Sequence, residues 1–396
     1  MTAICLYFQA HQPNRLRKYT YFDIGKNHFY EDEKANREIF LKVANKCYLP
    51  TNAVLLNLIK KHKDVFKFSF SLSGVFIEQC KRFSPETLDS FKKLAATGQV
   101  EFLNETYYHS LSFLFSREEF KRQVGMHRDL IEKEFGQKAT TFRNTELIYN
   151  NEVAAFIESL GYSAILAEGA DKVLDWRSPN FIYRPKGCEK INLLLRNYRL
   201  TDDVAFRFSE KTWSEYPVSA DKYASWLHSL HGTADLINLF MDFETFGEHQ
   251  WHDTGIFSFL EHLPEYILRH PEYDFVTPKE ASERFNPVAE LDVPNFVSWA
   301  DVDRDLTAWR GNDLQEDALQ GIYKLEENIY RVGDEELIDA WRDLLTSDHF
   351  YYMCTKYAAD GDVHKYFSPY RNPYEAYINY QNIVSDFALE LAKRAK

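Results

Sequence analysis

Through about residue 285 the chain alternates short apolar runs with amphipathic helical stretches, and that alternation narrows the possible folds more than any other feature. Residues 4–9 form an apolar run without helical period, while Phe66, Phe68, Phe70 and Leu72 alternate with Lys67, Ser69, Ser71 and Ser73. Both patterns predict strands. Further strands are expected at 100–103, 140–142, 164–167, 191–195 and 236–241. Helix starts lie between them: Ser116-Arg117-Glu118-Glu119 has capping-box spacing ahead of a segment closing at Gly136, and Thr277-Pro278-Lys279-Glu280 puts Pro at the first helical position. Strands alternating with helices imply a parallel sheet with right-handed crossovers. About seven such units predict an α/β fold with a (β/α)7-type, incomplete TIM-like barrel over 1–285. The stretch 286–294, with Pro287 and Pro294, reads as a linker. Helical periodicity at 313–330, 334–345 and 373–393 predicts a C-terminal helical bundle over 286–396.

Forty-seven Lys and Arg against 60 Asp and Glu give a formal net charge of −13, a sign that repels polyanions and offers no footprint for nucleic acid or acidic lipid. The five cysteines (Cys5, Cys47, Cys80, Cys188, Cys354) are widely spaced and never paired as C-x-x-C. That argues against a disulfide framework or a thiolate zinc site and predicts a reducing, cytoplasmic setting. No basic residue precedes the first apolar stretch and no small-residue cleavage site follows it, so neither a signal peptide nor a membrane span is expected. Phe, Tyr and Trp make up 16% of the chain; such side chains serve core packing and also suit stacking on sugar rings.

In a parallel barrel, residues that act on a substrate collect just after the C-terminal strand ends. Those positions are polar here. His11-Gln12-Pro13 follows the first strand, 101–109 lies at and after the third, Arg143-Asn144-Thr145-Glu146 follows the fourth, and Asp242-Phe243-Glu244 follows 236–241. Two carboxylates from separate strands are what glycosidic cleavage requires. One acts as nucleophile or base and the other protonates the leaving oxygen, with surroundings that push their pKa values apart. A Glu and an Asp at strand ends equally fit helix caps or ion pairs.

The flanking residues add a resemblance. Phe142-Arg143-Asn144-Thr145-Glu146-Leu147 and Met241-Asp242-Phe243-Glu244-Thr245-Phe246-Gly247-Glu248-His249 resemble motifs of glycoside hydrolase family 57, which includes α-amylases, 4-α-glucanotransferases and branching enzymes. His11-Gln12-Pro13 and Gly98-Gln99-Val100-Glu101-Phe102-Leu103 are similar to two further motifs of that family. Val297-Ser298-Trp299-Ala300-Asp301-Val302-Asp303-Arg304-Asp305-Leu306 resembles a fifth, and Ser347-Asp348-His349-Phe350-Tyr351-Tyr352-Met353 resembles members of its α-amylase group. The resemblance implies a retaining mechanism on a seven-stranded barrel, with Glu146 as nucleophile and Asp242 as acid/base. It also implies that His11, Glu101, His109 and Asp301 contact sugar, that the helical region completes the substrate cleft, and that no catalytic metal or other cofactor is needed. The expected partner is an α-glucan such as starch, glycogen or a maltooligosaccharide, hydrolysed at α-1,4 bonds, with the oligomeric state left open. A 4-α-glucanotransferase with the same dyad and a non-catalytic glucan-binding protein are the alternatives. Branching activity is less expected, because family members with it carry longer chains.

Several residues keep two readings. Arg143 and Glu244 are read as supports behind the pair, Glu244 as a partner that tunes Asp242. Trp251, Trp299 and Trp309 fit sugar stacking or core packing. His249 is read as a substrate contact, although His249-Gln250-Trp251-His252 with Asp253 or Asp242 also has the makings of a zinc site, as in metal-dependent carbohydrate deacetylases. Asp303, Arg304 and Asp305 read as structural ion pairs, and His228 and His231 as structural histidines.

Overall fold

The computed structural model describes residues 1–356 and 368–395. Residues 357–367 and 396, part of the expected bundle, lie outside the described residues. Seven strands carry the fold: β1 (Thr2–Ala10), β2 (Phe68–Leu72), β3 (Val100–Phe102), β4 (Thr141–Arg143), β5 (Ala164–Glu168), β6 (Asn192–Arg196) and β7 (Leu236–Asp242). All pairs among them are parallel. β1 lies between β2 and β7, with Phe8 opposite Phe70 and Gln9 opposite Asp242; β2 pairs β3, and β5 lies between β4 and β6. Asn104, just past β3, bridges to Phe142 of β4. On the other side the Asn197 N–H, just past β6, donates to the Asn238 carbonyl of β7 at 2.9 Å. These two links close the ring into a (β/α)7 barrel, so every C-terminal strand end opens on one face. An eighth short strand, β8 (Tyr273–Phe275), pairs with the start of β1.

Strands buried on both faces need continuous apolar sequence, and β1, β2, β5 and β6 are buried along their whole lengths. Much of the aromatic content goes into that core. Phe70, for instance, sits edge-on to Phe91 at 5.1 Å and to Phe243 at 4.9 Å between centroids. The helix signals work as read. The Ser116 hydroxyl accepts from the Glu119 N–H ahead of Arg117–Phe135, which closes on left-handed Gly136, and Thr277 with Glu280 forms a reciprocal capping box on Pro278–Arg284.

Two expectations are revised. The stretch 286–294 is a strap, not a free linker: Glu290–Leu291 pairs with Arg184–Pro185, and Asn151 N–H donates to the Val293 carbonyl. Leu291 and Val293 are buried against Tyr149 and Leu193, and that burial draws the segment onto the barrel. The periodic run 313–330 divides into Asp313–Tyr323 and Glu326–Val332. These helices, with Glu335–Leu344, Ser347–Tyr351 and Pro373–Arg394, enclose a core that also takes in Leu16, Tyr19, Leu111 and Ile148 from loops on the barrel's C-terminal face. Among the described residues no helix is long and apolar enough to cross a membrane.

A π-helical turn, Ala44–Tyr48, joins Glu33–Val43 to Leu49–His62 on that same face. It packs against Gly247, whose φ is 118° and where an added Cβ would stand 2.0 Å from the Lys46 carbonyl oxygen. Both the backbone angle and the contact require glycine. Gly247→Ala is therefore expected to lower stability by about 2 kcal/mol or more, read as a reduced denaturation midpoint with an unchanged slope.

Candidate active site

Glu146 lies in a short turn right after β4, in the left-handed region at φ 57°, followed by Leu147 at φ 50°. His109, after β3, is left-handed as well at φ 50°. Such angles in residues with a Cβ are costly and persist where the surroundings impose them. Here they aim two side chains at each other. His109 Nε2 donates to Glu146 Oε1 at 2.9 Å, and His109 Nδ1 donates to Glu105 Oε2 at 3.0 Å. With a carboxylate on each nitrogen both must donate, which makes the ring an imidazolium; burial opposes that charge, but the two carboxylates raise its pKa to about 9. Glu105 is completely buried and also accepts from Ser71 Oγ at 2.7 Å and Gln9 Nε2 at 3.1 Å. Burial works against its ionisation too, yet His109 and Arg143 bring it down to about 2.

The second oxygen of Glu146 accepts from Trp299 Nε1 at 2.7 Å. Arg143 is 0% exposed and none of its guanidinium nitrogens has a hydrogen-bond partner in the protein. It stands 3.8 Å from Glu105 and 4.9 Å from the Trp299 ring centre. Burial disfavours the Glu146 carboxylate, but His109, Arg143 and Trp299 together outweigh it and hold Glu146 below the usual range. Asp242, at the end of β7, is shifted the other way. Burial and the charge of Glu146 push it up to about 6, against the pull of Arg143, Arg196 and His109. The arrangement thus presents an ionised carboxylate beside one that still holds its proton in mildly acidic solution, which is the division of labour of a nucleophile and a general acid.

His11 stacks on His109, with centroids 4.1 Å apart and planes 18° from parallel. Its Nδ1 is 2.6 Å from Ser73 Oγ and its Nε2 donates to Asp348 Oδ2 at 3.1 Å. Burial and the neighbouring imidazolium lower its pKa, while Asp348, helped by the same His11, stays well below the usual carboxylate range against its own burial. Glu244 is buried, accepts from the Tyr48 hydroxyl at 2.5 Å, and is raised to about 8 by burial and by Asp242. Gln12 Nε2 in turn donates to the Tyr48 hydroxyl at 3.1 Å.

The structure therefore gathers His11, His109, Arg143, Glu146, Asp242, Glu244 and Trp299. Glu101 stays out. Its carboxylate accepts from Thr141 Oγ1 at 2.6 Å and from the Lys279 N–H at 2.8 Å, at the start of β4 and so at the opposite end of the barrel from Glu146. The carboxylate that enters the cluster is Glu105, four residues on, because β3 ends at Phe102 and the following turn faces inward. Asp301 pairs with Lys356 at 3.0 Å. His249 lies in the loop after β7, its N–H donating to the Glu244 carbonyl, and burial lowers its ring to about 4. Trp251 is 55% exposed on the same loop, with its indole N–H on the Glu248 carbonyl at 3.0 Å. Trp309 belongs to the helical core. Among the described residues, no three His, Cys, Asp or Glu side chains form a group able to hold a metal ion. Glu105, Asp348 and Tyr48 escaped sequence reasoning. The i, i+4 spacing of Glu105 and His109 was the one local signal, whereas the partners of Asp348 and Tyr48 are remote in the chain.

The sequence profile described as Glycosyl hydrolase family 57 matches residues 5–294. A Methanocaldococcus jannaschii protein named "Putative alpha-amylase" is 46% identical over 396 residues, covering 96% of this chain and 83% of that one. Among solved structures, an α-amylase from Thermotoga maritima aligns at TM-score 0.63 and 13% identity over 99% of this chain and 94% of its own. A branching enzyme from Thermococcus kodakaraensis aligns at TM-score 0.67 and 15% identity, over 92% and 87%. A 4-α-glucanotransferase from Thermococcus litoralis aligns at TM-score 0.60 and 17% identity; the chain covers 55% of its length. At these identities the structures establish the shared fold.

The Glu105 and His109 pair generates a prediction. Glu105→Gln leaves Arg143 and His109 buried without their common counter-charge, so stability near neutral pH is expected to fall by about 3 kcal/mol and the His109 pKa, followed by NMR, to drop from about 9. Because the folded-state pKa of Glu105 is depressed from 4.5 to about 2, the deficit is fully present above 4.5 and closes as pH falls through 2.

Proposed function

Because the chain belongs to glycosyl hydrolase family 57 and is a glycoside hydrolase, we propose that it cleaves α-1,4-linked glucans by a retaining mechanism, with Glu146 as nucleophile and Asp242 as acid/base. What supports the reading is that the ends of β4 and β7 bring Glu146 and Asp242 to one barrel face, with both Glu146 oxygens taken by the His109 and Trp299 donors and the two carboxylates shifted in opposite directions. In the first step a Glu146 oxygen attacks the anomeric carbon while Asp242 gives its proton to the departing glycosidic oxygen. In the second, Asp242 takes a proton from water, whose oxygen displaces Glu146 and restores the α configuration. His109 and Trp299, each donating to one oxygen of Glu146, orient it for attack. As both nitrogens of His109 and of His11 already engage protein groups, their part is to hold Glu146 and Asp348 in place beneath the sugar. His249 lies in the loop after Asp242, and on that loop Trp251 presents an exposed ring fit to stack on a glucosyl unit of the leaving chain. Glu244, held by Tyr48, sits behind the acid and adds to its environment.

The test is turnover of maltoheptaose by wild type, Glu146→Gln and Asp242→Asn, with products separated by size and the new anomer read by NMR. Wild type is expected to give α-anomeric glucose oligomers, and each variant to lose kcat by about a thousandfold or more. No turnover of any α-glucan by wild type overturns the reading. With maltotriose, longer oligomers would indicate transfer to a glucan hydroxyl in place of hydrolysis.

The same assignment sets the pH profile. Glu146 must be ionised and Asp242 protonated in the free enzyme, so kcat/KM is expected to fall on the alkaline side with an apparent pKa of about 6 and on the acid side below the ordinary glutamate range. An alkaline limb placed well above neutrality counts against Asp242 as the acid.

A further inference from the structure

Trp299 is carried by a loop that bonds within itself at its base and is gripped from outside at its tip. At its base Ser298 N–H donates to the Arg304 carbonyl at 3.2 Å, and Ser298 Oγ to the Asp305 carbonyl at 2.6 Å. Between these points Asp301 (φ 46°) and Arg304 (φ 48°) are both left-handed, an unfavourable conformation for residues with a Cβ. Within the loop the Asp303 N–H donates to Asp301 Oδ1 at 2.8 Å, and contacts from outside add to that hold. Lys356, in the C-terminal region, places Nζ 3.0 Å from Asp301 Oδ2 and 2.6 Å from Asp303 Oδ2, and bonds the Thr307 hydroxyl as well. From the barrel side Lys172 Nζ donates to the Asp303 carbonyl at 2.6 Å, and the Arg304 guanidinium lies 3.8 Å above the Tyr198 ring.

We propose that Lys356 is a positioning residue for the nucleophile: by clamping Asp301 and Asp303 it fixes the 298–305 loop so that the Trp299 indole N–H stays on Glu146. Asp301 then acts as an anchor of the clamp and not as a sugar ligand, in keeping with a side chain only 5% exposed and spent on the ammonium. Trp299 bonds Glu146 twice, its indole N–H on the carboxylate and its backbone N–H on the main-chain carbonyl at 3.2 Å. The guanidinium carbons of Arg143 and Arg196 stand 4.9 and 5.8 Å from its ring centre. The inference rests on the reading of Glu146 as nucleophile, but its structural part can be measured without turnover.

The groups facing Glu146 are His109, Arg143, Asp242 and Trp299. Lys356→Met leaves the first three in place and loosens the loop that carries the fourth. Losing one hydrogen bond to the ionised carboxylate raises the pKa of Glu146, so the acid limb of kcat/KM moves to higher pH. In the full-length protein, Lys356→Met is expected to shift the 15N-indole resonance of Trp299, identified by its loss in Trp299→Phe. It should also lower kcat/KM on maltoheptaose roughly tenfold and displace the acid limb upward. Lys356→Arg restores most of the activity. Should Lys356→Met fold poorly, Asp303→Asn, on the more exposed side of the clamp, is expected to show the same directions with smaller amplitude. An unmoved indole resonance and acid limb, or loss of activity that Lys356→Arg does not rescue, overturns the proposal. If wild type turns over no α-glucan, the function reading fails while the indole resonance still decides the clamp.

Discussion

The imidazolium of His109 between Glu105 and Glu146 is the interaction on which the rest of the site depends. Carboxylates as deeply buried as Glu105 do not stay ionised without compensation. His109 and Arg143 supply two positive charges against those of Glu105 and Glu146, which leaves the buried set near neutral. Asp242 and Glu244, where burial and a neighbouring carboxylate outweigh the cations, are both raised. The separation of pKa values between Glu146 and Asp242 follows from the donors and cations that His109, Trp299 and Arg143 bring to Glu146, set against burial and the Glu146 charge at Asp242.

That balance depends on backbone conformations the chain would not adopt alone. His109, Glu146 and Leu147 are left-handed at the site, and Asp301 and Arg304 are left-handed in the loop carrying Trp299. Each lies just outside a regular element, where no ladder dictates the angles. The compensating stability sits in the paired strands and the aromatic core beneath them. Strain of this kind marks where the fold gives up local stability to place functional groups.

The barrel was legible because its strands bury both faces and so write themselves as apolar runs, and because Ser116 and Thr277 announce their helices by caps. The placement of Glu146 and Asp242 follows for a related reason, since a parallel barrel sends all C-terminal strand ends to one face, whereas their proposed roles come from the resemblance of the flanking residues to family motifs. Within that face, spacing stops helping once the chain leaves the strand. Glu101 occupies the motif position in β3, yet its side chain turns to Thr141 and Lys279, and the turn after Phe102 brings in Glu105 instead. Tyr48 reaches Glu244 across 196 positions, and Asp348 reaches His11 across 337. Such pairings are set by packing of remote segments, and no periodicity records them. The prolines of 286–294 mark a connecting segment but not its course, which burial of Leu291 and Val293 decides.

The helical region is bound into this site and is not an appendage to the barrel. Its Thr346 hydroxyl and Ser347 N–H bond the carbonyls of Tyr108 and His109, fixing the backbone on which the imidazolium stands. Asp348, next in the chain, holds His11 against that imidazolium, and Lys356 reaches the loop of Trp299. Leu16, Tyr19, Leu111 and Ile148 of the barrel loops share a core with Trp341 and Phe387, so the two parts cannot separate without exposing that core. The charge arrangement around Glu146 is thus a property of the joined structure: the barrel supplies the carboxylates and the guanidiniums, and the helical region holds the backbone and rings that keep them paired.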